Sequence, residues 1–433
     1  MEAPIFIGEI ELCEPIKDIR LPTCHSTGEA YKGVRLLVRI HHIPIGYVEI
    51  PGNSLPAELV AQQVWQTLGT SINARRDRAE LPRLREISTD GVPWAKPLAH
   101  ETGDCPLVSV VVCTRNRRES LLKTLRDIAA LNYSSFEVVV VDNAPESDAT
   151  QHAVAREFKH DPRFRYVREL RPGLSCARNR GLVEAQADLI AFTDDDVRVD
   201  QWWLDGIVRG FQAAPEVACV TGLIATAQID NAVQLYFHVR AGWGTSCEGR
   251  IFDLAANRDE SPLYPYTVGR FGAGANFALS RVFLKNIGTF NEALGAGTPS
   301  GGGEDLDMFM RVILSGHRLA YEPSAVVWHV HRSDLAALSK QMRAYGTGCT
   351  AALTAIFLDS AKARRELPTK IIKGVLHMFK LTDGVREDRS LPGGLVKREF
   401  VGLALGPLLY LKGRRGLRKV GFLTGGTPSL RGD

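Results

Sequence analysis

The sequence predicts an α/β protein: a mostly parallel sheet covered by helices on both faces, preceded by a small α+β unit and followed by a helical, basic extension. Three observations lead there. From residue 107 onward, runs that are apolar throughout alternate with segments of helical spacing, the pattern of strands buried on both faces by crossover helices. Polar residues recur where those runs stop, at Thr114-Arg115-Asn116, Asp142-Asn143 and Asp194-Asp195-Asp196. In such a sheet the carboxyl ends of the strands line one crevice, where ligands bind. Finally, 433 residues with 45% hydrophobic and 24% charged content suffice for a substantial core and two or three domains.

Residues 1–88 read as a small α+β domain. "VRLLVRIHHIPIGYVEI" (34–50) gives two strands around a Pro-containing turn, and "PAELVAQQVWQTLGTSI" (56–72) has helical spacing. His41 and His42 fall at that turn and read as a solvated pair. A Pro- and Gly-rich linker spans 89–106.

The main domain covers 107–334. Its strands are "LVSVVVCT", "FEVVVVDN", "RFRYVREL", "DLIAFTDDD" and "VACVTGLI"; between them lie "RRESLLKTLRDIAAL", "DATQHAVAREFK", "CARNRGLVEAQA" and "QWWLDGIVRGFQAA". Beyond 225 the rhythm loosens. "GRFGAGANFALSRVFL" (269–284) leads through glycines into a strand, and "GAGTPSGGGEDLDMFMRVILSG" (295–316) is a Gly-rich loop feeding a helix. "AVVWHVHRSD" (325–334) alternates as a strand with His329 and His331 on one face.

Residues 335–433 form the extension. Its last 73 residues carry 16 Lys and Arg against 6 Asp and Glu, net +10, whereas the preceding 360 carry 37 against 43, net −6. A basic tail on a mildly acidic body points to an anionic surface. "FVGLALGPLLYL" (400–411) beside "KGRRGLRK" (412–419) is too short to span a bilayer. It suits either a peripheral interfacial segment or a helix packed on the main domain. The tail lacks interleaved stacking aromatics, which argues against nucleic acid. Eight cysteines occur without a C-x-x-C pair, and the N-terminus has neither a basic n-region nor a long apolar stretch. A reduced, cytoplasmic protein is expected, with peripheral contact to the membrane as the open alternative.

The three aspartates at 194–196 carry the first chemical signal. Like charges this close repel, and no neighbouring residue in the sequence neutralises them. Hard oxygen ligands suit Mn²⁺ or Mg²⁺, which take one or two carboxylates and fill the rest of their shell from phosphate and water. The expected ligand is therefore a metal-bound phosphate compound. Asp142 at its strand end suits the reading of a base edge. Arg178 lies on a helix opened by "RPGLS", with Ser175 as its expected N-cap; free amide groups and a guanidinium there suit a diphosphate. Glu304-Asp305 opens a helix after a glycine loop, and adjacent carboxylates raise one another's pKa toward a value useful to a base.

"FTDDDV" resembles the D-x-D element of nucleotide-sugar-dependent glycosyltransferases of the GT-A (Rossmann-like) fold. "VSVVVCTRNR", "VVVVDNAPESDAT", "GLSCARNRG" and "GGEDLDMFMRV" resemble, in order, further elements of the family-2 members, from about residue 107 to 335. The resemblance implies that Thr114 and Arg115, with Asn116 beside them, hold ribose and base. It implies that Asp142 accepts from a uracil or thymine imide N–H. Arg178 would serve the diphosphate, Asp194 the ribose side, Asp196 the metal, and Asp195 the orientation of its neighbours. His329 would join the metal, with His331 the alternative. Asp305 would be the general base, Glu304 its helper, and Gly274 of "GAGAN" would lie beside donor and acceptor sugars.

The expected activity is inverting, metal-dependent, non-processive transfer of one sugar from a UDP-, dTDP- or GDP-linked donor to a saccharide or lipid-linked acceptor. "QMRAYGTG" (341–348) stands where processive members carry Q-x-x-R-W. A sugar nucleotidyltransferase would need a G-x-G-T-R-L loop where this chain has "CTRNRR". A binding protein without turnover would be expected to have lost Asp196 or Asp305, and both are present.

Overall fold

The computed structural model describes residues 2–94, 105–241, 246–267, 269–382 and 394–419. Its N-terminal unit comprises β1 (Ile5–Glu11), β2 (Ile19–Arg20), β3 (Gly33–Ile40), β4 (Ile43–Pro51), β5 (Ser54–Leu55) and α1 (Ala57–Arg78). β3 forms a hairpin with β4 and pairs in parallel with β1. The hairpin turns at His41-His42, and the proline expected in the turn lies outside it. Both histidines have positive φ, 50° and 65°, as a tight turn matched to strand twist requires, and Pro44 lies inside β4. Glu11 holds the turn by accepting both histidine backbone N–H groups, at 3.0 and 2.7 Å.

Nor is the histidine pair a solvated loop. His42 stacks on Trp202 of the main domain, with ring centroids 4.1 Å apart. Strand alternation explains why "VRLLVRI" is apolar on both faces: Val34, Leu36, Val38 and Ile40 pack in the cluster with α1, whereas Leu37 packs on Leu223, Ala225, Val326 and Trp328 of the large sheet. Arg39, on the Leu37 face, forms a buried ion pair with Asp200 at 2.5 Å. Part of the expected linker, 95–104, lies outside the described residues.

The main domain then alternates β6 (Val108–Thr114), α2 (Arg118–Ala129), β7 (Phe136–Asn143), α3 (Ala149–Glu157), β8 (Phe164–Glu169), α4 (Leu174–Glu184), β9 (Leu189–Asp194), β10 (Val197–Val199), α5 (Trp203–Gln212) and β11 (Val217–Thr226). It continues with α6 (Ala232–Ala241), β12 (Arg250–Phe252), β13 (Asn276–Ser280), α7 (Arg281–Ile287), α8 (Glu304–Leu314) and β14 (Arg318–His329). The strands form one sheet in the order β8-β7-β6-β9-β13-β11-β14-β10, with β12 also on β14. Pairings β6–β7, β7–β8, β6–β9 and β11–β14 are parallel, and β13 runs antiparallel to both neighbours. Successive valines of β6 and β7 enter opposite cores, Val111 and Val139 on one face, Val110, Val112, Val138 and Val140 on the other.

From β6 the chain winds outward to β7 and β8, then returns to lay β9 on the other side of β6. Connections leaving a strand pair in opposite directions open a crevice at its carboxyl end. The register places Thr114 beside Asp142, and Cys113 beside Asp194, at that end.

The extension comprises α9 (Leu335–Asp359), α10 (Ala361–Thr382) and α11 (Leu395–Lys419). α11 lies backbone-close against α9: a Cβ added at Gly402 or Gly406 would collide with the Arg343 carbonyl or the Thr350 hydroxyl. Among the described residues no helix is long and apolar enough to cross a membrane.

Candidate active site

The crevice collects its residues from four strand ends and one helix start. Asp142 is the penultimate residue of β7 and is fully buried. Its Oδ2 accepts from the Tyr166 hydroxyl at 2.8 Å, while Oδ1 is buried without a partner. Burial pushes this carboxyl above the usual carboxylate range, against the pull of the Tyr166 and Thr150 hydroxyls. An unpartnered buried acceptor costs on the order of 1–3 kcal/mol, and a ligand N–H removes that cost. Replacing Asp142 by Ala should therefore weaken nucleoside diphosphate binding by about 10- to 100-fold. Titration calorimetry checks this, and unchanged affinity would remove Asp142 from the base subsite.

The Asp194–Asp196 run is neutralised, contrary to expectation, by arginines from distant parts of the chain. Arg117 Nη1 donates to Asp195 Oδ1 at 2.8 Å and to Asp196 Oδ2 at 2.9 Å. Arg332 lies 3.7 Å from Asp196, and Arg178 lies 3.7 Å from Asp194. The three aspartates differ in surroundings. Asp195 is buried, held by the Thr114 hydroxyl at 2.6 Å as well as by Arg117; burial raises its pKa. Asp194 reaches the crevice with about a third of its side chain exposed; desolvation raises its carboxyl, Arg178 opposing and Asp196 and Asp195 adding. Asp196 is partly exposed at the crevice wall. Thr114, expected at the ribose, is instead buried on Asp195. Arg115 is exposed, and Asn116 sits at positive φ with its Oδ1 accepting from the Glu146 N–H at 3.3 Å.

β10 pairs with β14 so that Val197 stands opposite His329, which brings His329 next to Asp196 despite some 130 intervening residues. Burial lowers the His329 pKa, with Asp196 opposing, so the ring is a neutral imidazole at neutral pH. His331, just past the end of β14, is held inside the fold. Its Nε2 lies 3.0 Å from the Thr226 hydroxyl, which lies 2.7 Å from His238 Nδ1. Burial pushes His331 down to about 3. His329 Nδ1 and His331 Nδ1 are 3.4 Å apart. One direction of this hydrogen-bond chain leaves His329 Nε2 with its lone pair. Of the two histidines, His329 is the one the strands place beside the carboxylates.

Among the described residues no group of three or more His, Cys, Asp or Glu is assembled to hold a metal ion by itself. One partly exposed carboxylate and one neutral imidazole form an open donor set. That fits a divalent ion whose remaining positions come from phosphate and water.

Across the crevice, Gly303 at φ 93° starts α8. Asp305 is partly exposed, and its Oδ2 accepts the Gly274 N–H at 2.7 Å. Glu304 is buried, with Oε1 on Arg178 Nη1 at 2.8 Å and Oε2 unpartnered. Burial, with the Asp305 charge adding, raises the Glu304 carboxyl, and the Arg178 guanidinium opposes it. Arg178 is 2% exposed, and its Nη2 donates to the Gly274 carbonyl at 2.9 Å. It therefore joins Glu304 to the Gly274 peptide beneath the crevice and does not present its charge at the mouth of α4. The cap of α4 is Gly173; the Ser175 hydroxyl is buried and donates to the Leu294 carbonyl at 2.8 Å. A Cβ on Gly274 would fall 2.9 Å from Arg178 Nη2 and 3.0 Å from Asp305 Oδ2, so any larger residue there displaces one of the two side chains.

Sequence inspection missed Arg117 and Arg332. "CTRNRR" offers several arginines in a row with nothing in spacing to choose among them. Arg332 meets Asp196 only because β14 pairs with β10.

The description "Glycosyl transferase family 2" matches residues 109–288. The chain is 30% identical over 243 residues to the succinoglycan biosynthesis protein ExoM of Rhizobium meliloti, covering 54% of this chain and 71% of that protein. It is 29% identical over 234 residues to a pre-mycofactocin glycosyltransferase of Mycobacterium tuberculosis, covering 53% of this chain but 43% of that protein, so it spans less than half of that relative's length. A mannosyltransferase from Pyrobaculum calidifontis, solved with GDP-Man and Mn²⁺, is 18% identical with a TM-score of 0.45 over 83% of this chain and 97% of its own. With a relative at this identity over most of its length, and the strand-end motifs gathered in one crevice, the chain belongs to glycosyl transferase family 2 and its main domain has the GT-A fold.

Proposed function

We propose that this protein is an inverting glycosyltransferase that moves one sugar from a nucleoside diphosphate sugar to an acceptor hydroxyl. The observation that carries it is the Gly274 peptide. Its N–H holds Asp305 and its carbonyl holds Arg178, which places a partly exposed carboxylate across the crevice from Asp194–Asp196. The donor base lies against the unpartnered Asp142 Oδ1, and its diphosphate lies toward Asp196, within reach of the Arg117 and Arg332 charges. Asp305 takes the proton from the acceptor hydroxyl. The oxygen then attacks the anomeric carbon from the face opposite the diphosphate, the C–O bond to the diphosphate breaks, and the configuration inverts.

Asp196 and His329 are the residues that would hold Mn²⁺ or Mg²⁺. Such an ion supplies Lewis-acid stabilisation of the departing diphosphate. Glu304 and Arg178 set the position of Asp305 and touch no substrate. The kinship with a succinoglycan biosynthesis protein supports a saccharide acceptor, free or lipid-linked.

The test is nucleoside diphosphate release across a panel of UDP-, dTDP- and GDP-sugars with Mn²⁺, followed by NMR of the product's anomeric configuration. One donor should support acceptor-dependent release with an inverted linkage. A retained configuration, or no release from any donor with saccharide and lipid-linked acceptors, overturns the proposal.

A further inference from the structure

α11 presents two faces of different chemistry. One carries Leu395, Gly402, Gly406, Tyr410 and Gly413, all buried against the body of the protein. On the other, Val396, Phe400, Ala404, Leu408 and Lys412 recur every four residues and are all exposed, so they form one stripe along the helix. Its large apolar members are far from buried: Val396 41%, Phe400 54%, Leu408 65%, with Val401 beside them at 50%. Basic side chains stand at both ends of the stripe, Lys397 and Arg398 at one, Lys412 and Arg415 at the other, and all four are exposed. The single acidic residue of the helix, Glu399, is taken up by Arg240 at 2.8 Å.

An apolar stripe left in water costs free energy, and a packed helix needs no second apolar face. A polar protein partner would leave the apolar residues unmatched. A wholly apolar partner would strand the four cations. An anionic bilayer matches both, with acyl chains for Phe400 and Leu408 and headgroup charge for the basic ends. The charge of the whole chain agrees, since residues 361–433 are net +10 while the rest is net −6. A body of that sign faces away from an anionic surface when the tail faces it.

We infer that the exposed face of α11 docks on an anionic lipid surface, with Phe400, Val401 and Leu408 in the interfacial layer and Lys397, Arg398, Lys412 and Arg415 among the headgroups. The opposite, buried face of α11 fixes the helix to the segment that precedes α8. The Tyr410 hydroxyl accepts from Asn291 Nδ2 at 3.1 Å, and Gly413 lies against the Ala293 carbonyl, at the start of the loop that leads into Glu304-Asp305. This placement holds whether or not the glycosyl-transfer proposal does, because it is read without turnover.

The experiment is co-sedimentation of the full chain with phosphatidylcholine vesicles, with and without roughly one part in three of phosphatidylglycerol, at low and high salt. The chain should partition to the anionic vesicles and remain in solution with the neutral ones. Phe400→Glu with Leu408→Glu should lower the partition coefficient by about tenfold or more. Lys412→Glu with Arg415→Glu should lower it and flatten its salt dependence, a second readout that leaves the apolar face untouched. Matching thermal midpoints and far-ultraviolet circular dichroism show that the variants are folded. Wild type that stays in solution with anionic vesicles overturns the inference, as do variants that partition like wild type. So does a vesicle-free dimer that Phe400→Glu with Leu408→Glu converts to monomer, since the face is then an interface between two copies.

Discussion

Asp305→Asn is expected to lower acceptor-dependent transfer by about 10²- to 10⁴-fold, the range a positioned general base contributes, while leaving donor affinity within about twofold of wild type. Asn has nearly the shape of Asp and still offers an oxygen to the Gly274 N–H, but it cannot take a proton from the acceptor. The loss should therefore fall on kcat, with little change in the KM for donor. Steady-state rates of nucleoside diphosphate release, with calorimetry of donor binding, separate these outcomes. A variant that transfers sugar at the wild-type rate would remove Asp305 from the base role. Glu304→Gln is the informative partner. Its side chain is buried on Arg178, so any loss of rate acts through the position of Asp305 and should be smaller.

Arg178→Ala should be the most destabilising single change in the crevice. The guanidinium is buried between Glu304, at 2.8 Å, and the Gly274 carbonyl, at 2.9 Å. Its removal strands a carboxylate and a peptide oxygen away from water. Breaking a buried ion pair by removing one partner costs about 3–5 kcal/mol, which for a domain of this size lowers the thermal midpoint by about 10 °C. Pairing the change with Glu304→Leu should recover part of that loss, because two apolar groups leave no orphan charge. If the single variant melts with wild type, the ion pair does not hold the crevice together. Transfer should fall as well in Arg178→Ala, since the Gly274 peptide that seats Asp305 loses its anchor.

How much of this was legible beforehand differs from element to element. β6, β7 and β9 were plain because strands buried on both faces must be apolar throughout, and the polar residues that end them stand out. The crevice position of Asp142 and Asp194 followed from that alone. The β3–β4 turn was placed at His41-His42, but Pro44 was counted in it; it lies inside β4, and the two histidines adopt positive φ while Glu11 binds their backbone N–H groups. The cap of α4 was misread because serine favours that position in general, yet the Ser175 hydroxyl found a buried carbonyl in a segment nearly 120 residues away. Arg178 was assigned to the diphosphate from its place near a helix start. Only the fold, which brings the start of α8 to Arg178, shows that its charge is met by Glu304 at 2.8 Å.

The sequence by itself determined the order of strands and helices, the glycines that let backbones approach, and the carboxylates that end the apolar runs, because these depend on local propensity and on periodicity. Tertiary structure alone decided which charges meet. Arg117, Arg332 and Arg178 neutralise the aspartate run, His329 rather than His331 lies beside Asp196, and the N-terminal sheet docks through Leu37 and Arg39. Each of these pairings joins side chains far apart along the chain, and Coulomb and hydrogen-bond energies depend on distance in space, which a linear pattern does not encode.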